Sequence, residues 1–145
     1  MWNLRKPKIY SGWYCKKWID NLNYWEGSII SISDFKKNNN KNIKKVDYVG
    51  TGGCIIDTTI FQEKSSFWNI PTDLPKGITI YNMEDLYLSF ISENEFGYNL
   101  ERSFLPIYQS INHIDENSNK NSLWLMLHNE KHVLFKYLIK KYRSA

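Results

Sequence analysis

The chain has 145 residues, a formal charge of +4, 42% hydrophobic and 16% aromatic residues. That is enough for one domain, 1–145, around one core, and too apolar for a disordered chain. The longest apolar runs are a few residues long, so no membrane span or secretory leader is expected. Two cysteines, Cys15 and Cys54, form no C-x-x-C and point to a reducing compartment, hence a cytoplasmic location.

Residues 1–46 carry a net +7, residues 47–130 a net −8 and residues 131–145 a net +5. Much of the N-terminal excess lies in the Lys/Asn run from Lys36 to Lys45, which reads as a solvated loop. With the acidic middle, this argues against nucleic acid as a partner.

Residues 7–11 form a short extended segment ending at Ser11-Gly12, and predict a strand. Residues 13–24 are aromatic and basic, which allows a short helix or an irregular segment. The β-branched run 28–33 predicts a strand. Lys45–Val49, then Gly50-Thr51-Gly52-Gly53, then Cys54–Ile56 reads as strand, glycine bend, strand. Asp57 can cap a short helical turn leading to Phe61. Residues 62–76 predict a loop around Phe67-Trp68, and 78–80 another short strand.

The best-defined element runs from Asn82 to Gly97. Asn82 can cap it, Glu84 and Asp85 fall in the first turn, and Gly97 can close it. Met83, Leu86, Tyr87, Phe90 and Ile91 make an apolar stripe, while Asp85, Ser89 and Ser92 line another face. A strand over 104–108, a polar loop over 115–122 and a helix over about 129–142 follow. That helix is expected to carry Val133, Leu134, Tyr137, Leu138 and Lys141 on one side. The order of elements predicts an α/β or α+β domain with a mixed sheet.

Few segments carry chemistry. The glycine segment is neither G-x-G-x-x-G nor a P-loop, and reads as a bulge, a tight turn or a close backbone approach to a ligand. Glu84-Asp85 suits the helix dipole. A carboxylate there that faced a cleft would also suit a general base, because the ionised form is favoured. Asp85, off the apolar stripe, is the better placed of the two, with Glu84 in a supporting role. Trp13, Trp18, Trp25 and Trp68 are core anchors or sugar-stacking platforms. His128 and His132 have the spacing of a zinc pair, but Asn129 replaces the glutamate of H-E-x-x-H, so a surface pair is the simpler reading.

Together, Val46-Asp47-Tyr48-Val49-Gly50-Thr51-Gly52-Gly53-Cys54 and, about thirty residues on, Met83-Glu84-Asp85-Leu86-Tyr87-Leu88-Ser89 with Gly97 behind it carry a resemblance. Residues 5–110 resemble the second half of GT-A glycosyltransferases of the family-2-like group, including versions encoded by large DNA viruses of amoebae. Residues 111–145 add a loop and a helix. The resemblance implies a partial GT-A-like mixed sheet and an inverting transfer from a nucleotide-sugar to a glycan or protein hydroxyl. It implies Asp85 as base beside Glu84, with Thr51, Gly52, Gly53 and Trp68 about the sugar. The family also uses a divalent metal, Mn or Mg, held by D-x-D, with a C-terminal histidine added in some members, here His128 or His132.

No two aspartates of this chain stand two apart. The expectation is therefore a truncated or split form whose nucleotide-binding half lies on another chain, acting in the host cytoplasm if viral. The alternative is a non-catalytic glycan-binding or protein-interaction module.

Overall fold

The computed structural model describes residues 8–30, 45–50, 52–103 and 126–144. Among these described residues, six strands and two helices follow one another in the order β1 (Ile9–Gly12), β2 (Cys15–Trp18), β3 (Gly27–Ile30), β4 (Tyr48–Val49), β5 (Cys54–Ile56), α1 (Glu84–Asn94), β6 (Asn99–Arg102) and α2 (His128–Tyr142). Short 3₁₀ turns at Thr58–Phe61 and Ser66–Trp68 lie between β5 and α1. The architecture is mixed α and β, of the α+β kind. The β content is divided between two three-stranded sheets, β5-β1-β6 and β3-β2-β4, where one sheet was expected. The first is itself mixed: β1 runs antiparallel to β5 and parallel to β6. The second is antiparallel throughout.

The sheets meet at a double corner. The chain passes from β1 to β2 through Gly12-Trp13-Tyr14, and from β4 to β5 through the glycine segment. These connections lie side by side, with Gly50 N–H donating to Tyr14 O (2.9 Å) and Trp13 N–H to Gly53 O (3.4 Å). Strands that change sheets need bends or bulges at the crossing. Gly12 allows the close approach at this corner, because a Cβ there would lie 2.7 Å from Val49 Cγ1. Val46 N–H donates to Leu100 O (3.1 Å), a second tie between the sheets.

Residues 13–24, expected to be helical or irregular, contain β2. Pairing with β3 on one side and β4 on the other overrides the local pattern. No strand forms over 78–80, where the chain turns. A strand not expected from the sequence, Asn99–Arg102, follows α1 and docks beside β1 through Tyr10↔Leu100. Residues 104–108 and 115–122, and 31–33 of the expected third strand, lie outside the described residues.

α1 forms as expected but is not a one-sided helix: Leu86 to Ser92 are all buried. A helix buried all round lies inside the core, and α1 packs against β4, β6 and α2. Asn82 does not cap it. Met83 occupies the cap position without a side-chain bond, and Asn82 sits at φ 65°. Gly97, at φ 68°, closes the other end, where Phe96 N–H reaches Ile91 O and Tyr98 N–H reaches Ser92 O. Asp57 caps its 3₁₀ turn by accepting from Thr59 N–H (2.8 Å).

α2 buries Lys131, Leu134, Phe135, Leu138 and Ile139, a face rotated from the expected one, and Val133 is exposed. The Phe135 ring lies 4.6 Å from Trp18 at the centre of the core. Arg143 fastens the end of α2, bonding Glu93 at 2.8 Å and lying 3.7 Å from Asp47 and 4.8 Å over the Phe90 ring.

Candidate functional site

β4 and the first turn of α1 are clasped together. Tyr48 Oη donates to Asp85 Oδ2 at 2.5 Å. One turn along, Ser89 Oγ accepts from Val49 N–H (3.1 Å) and lies 3.3 Å from Val49 O. Ser89 Oγ also lies 2.8 Å from Asp85 O. The polar face of the expected helix is thus the one laid on β4. Asp85 Oδ1 accepts from Leu86 N–H (2.8 Å), so both carboxylate oxygens are engaged at the half-buried helix start.

Four phenols surround this carboxylate. Burial first, then the charge of Asp85, raises the hydroxyls of Tyr14, Tyr24 and Tyr48 above the ordinary tyrosine range. For Tyr10 burial is again the largest cause, with Cys54 and Asp85 adding to it. The phenols stay neutral at physiological pH, and Tyr48 is the one that donates to Asp85. Tyr10 is itself tied to the same strand, donating to Val49 O at 2.9 Å. Burial also favours the protonated form of the neighbouring thiols, pushing Cys15 up to about 12 and raising Cys54.

Of the glycines, Gly50 comes against this cluster: a Cβ there would stand 3.0 Å from Tyr14 Cδ1 and 3.5 Å from Tyr48 Oη. Gly52 and Gly53 lie further along the corner, against Trp13, whose indole N–H donates to Gly52 O. Thr51 lies outside the described residues.

Glu84 and Asp85 separate. Asp85 faces β4, whereas Glu84 is exposed and lines a pocket of about 360 Å³ with Phe67, Trp68, Ile80, Tyr81 and Tyr87. Trp68 is therefore brought to Glu84 and not to the glycine segment. Of the other tryptophans, Trp18 is core, ringed by Tyr24, Tyr48, Phe90 and Phe135. Trp13 is buried at the corner. Trp25 stacks on His128 at 4.0 Å and donates its indole N–H to His128 O.

His132 Nδ1 accepts from Tyr24 N–H at 3.4 Å, so both histidines brace the segment after β2. Among the described residues no three His, Cys, Asp or Glu side chains converge as metal ligands. No described helix is long and apolar enough to cross a membrane.

Two features escaped the sequence reading. Tyr48 as partner of Asp85 follows from register, and only its place in an alternating Val46/Tyr48 pattern hinted that it faced inward. Lys16 is buried, 3% exposed. Its ammonium donates to Tyr24 O at 2.5 Å and lies 4.1 Å over the Tyr24 ring and 5.3 Å over Trp25. Burial, then the nearby Lys131, lowers its amine to about 8. Comparison with family models, curated proteins and solved structures returns no match.

Proposed function

We propose that this chain carries the acceptor-side, base-bearing part of an inverting, GT-A-like glycosyltransferase. The observation that supports this most is the clasp between the glycine-bend strand and the Glu84-Asp85 helix, two segments that stand apart in sequence and bond through Tyr48 and Asp85. In this reading Asp85 Oδ2 takes the proton of the acceptor hydroxyl as that oxygen attacks the anomeric carbon. The nucleotide departs from the opposite face. Tyr48 holds the carboxylate in place, and Ser89 keeps the helix start against β4. Most of the rate gain comes from aligning the reactants, and the base adds about 10²–10⁴-fold.

The donor is a nucleotide-sugar, and its diphosphate and any Mn or Mg fall to a D-x-D-bearing half outside these 145 residues. The described residues do not form a ligand set suited to such an ion, so no step is drawn through one. The test supplies UDP-glucose, UDP-galactose, UDP-N-acetylglucosamine or GDP-mannose with glycan acceptors, with and without a D-x-D-bearing half. Asp85→Asn is expected to lower transfer by about 10²-fold or more. Equal transfer by Asp85→Asn and Asp85→Ala and by the parent chain removes Asp85 from the mechanism. Robust metal-dependent transfer by the 145 residues alone refutes the division of labour.

A further inference from the structure

On the side of α1 away from β4, the segment between the second 3₁₀ turn and the helix start builds an aromatic shelf. Trp68 is 55% exposed, yet its orientation is fixed. Its indole N–H donates to Gln62 O (3.1 Å), and Phe67 meets it edge-on from behind at 5.0 Å. Phe67 in turn is held edge-on by Phe61 at 5.1 Å and lies 6.0 Å from Tyr87. Tyr81, 73% exposed, stands across the same pocket, and Ile70 and Ile80 complete the apolar lining. The polar groups are Asn82 and Glu84, both exposed. The volume of about 360 Å³ is that of a small-molecule site.

We infer that this pocket binds a pyranose ring. A pyranose has an apolar C–H face and a rim of hydroxyls, each both donor and acceptor. The shelf offers the matching halves: exposed aromatic faces on a pre-set support, and an amide with a carboxylate that together accept and donate. The other ligand that aromatic faces and an acid suit is a quaternary ammonium. Four rings, Phe67, Trp68, Tyr81 and Tyr87, line the pocket, so the choice turns on Asn82: its amide N–H groups can donate to sugar hydroxyls and have no acceptor on a quaternary ammonium.

Glu84 is thus a sugar-hydroxyl ligand on a different side of the helix from Asp85, and not its supporting carboxylate. Describing the bound sugar as a distal unit of the acceptor rests on the proposed function; the binding does not.

The test is an NMR titration of the full chain with the methyl β-pyranosides of glucose, galactose and N-acetylglucosamine and methyl α-mannopyranoside. Choline is run alongside, and no nucleotide-sugar is present. At least one glycoside is expected to saturate with a dissociation constant on the order of 1 mM, shifting the Trp68 indole N–H and the amides of 81–87. Trp68→Ala should weaken it by more than about ten-fold, and Glu84→Gln by about three- to ten-fold. Asp85→Asn should leave it within about two-fold. Trp68-dependent binding without Asp85-dependent transfer leaves the shelf standing and removes the transferase. Asp85-dependent transfer without Trp68-dependent binding overturns the shelf. So do glycoside shifts that survive Trp68→Ala, and choline binding in place of every glycoside.

Discussion

Replacing Tyr48 by Phe removes one oxygen and leaves the buried ring, 3% exposed, in place. The lost group is the donor at 2.5 Å to Asp85 Oδ2. A hydrogen bond to a charged group is worth about 1.5–3 kcal/mol net, so Tyr48→Phe should cost about 2 kcal/mol. Asp85→Ala removes the same bond, the acceptor for Leu86 N–H and a first-turn charge worth about 0.3–1 kcal/mol, and should cost more. The double variant should be scarcely worse than Asp85→Ala. The coupling energy from the cycle is then about 1.5–3 kcal/mol, read from urea unfolding followed by tryptophan fluorescence at equal m-values. Additive costs, within about 0.5 kcal/mol, would refute a clasp between β4 and α1 made through this pair.

Lys16 makes a prediction with a definite pH sense. Its amine falls from 10.5 to about 8 on folding, so between those values the unfolded state holds the proton and the folded state does not. Stability therefore rises with pH through that window, and the cost of the buried charge is fully present below pH 8. Its ceiling is about 3 kcal/mol at about 1.36 kcal/mol per pH unit, reduced by residual solvent screening and offset by the ring contacts. Lys16→Met should thus be about 1 kcal/mol more stable at pH 7, with Tyr24 O still accepting from Trp18 Nε1–H. Its advantage should vanish by about pH 10 in denaturant titrations, and parallel pH profiles for the two proteins would refute this. At the double corner, Gly12→Ala pushes a methyl to within 2.7 Å of Val49 Cγ1 and 3.1 Å of Gly53 O. A loss of about 1–3 kcal/mol is expected, read as a fall in Tm, and an unchanged Tm would mean that the corner is loose.

What could be read in advance followed local rules. α1 and its Gly97 stop, the Asp57 cap, the first strand and the strand–glycine–strand run all carry their signals within a few residues. β2 does not: Cys15-Lys16-Lys17-Trp18 has two lysines in mid-strand, and one is buried because Tyr24 and Trp25 fold over it. β6, Asn99-Leu100-Glu101-Arg102, is nearly all polar and becomes a strand because β1 lies on one side of it and the Lys45-Val46 backbone also pairs with it. The face of α2 was read one step round because its buried row starts with Lys131, which no apolar pattern selects. Glu84 and Asp85 looked like a single unit, yet adjacent helix residues point about 100° apart, and the structure places them on different sides. Which side each serves depended on β4 and on the 67–68 turn, both fixed by tertiary packing.

The place of β1 in its sheet sets a timetable. It is the middle strand, and its partners β5 and β6 come about 45 and about 90 residues later in the chain. On a ribosome adding about 5–20 residues per second, β1 emerges roughly 5–20 s before β6 exists. The edge that takes β5 waits about half of that interval and the edge that takes β6 the whole of it, and closing the sheet must then gather chain over a long loop. β1 is thus made early and fully paired late, and its open edge is available for mispairing until Asn99–Arg102 arrives.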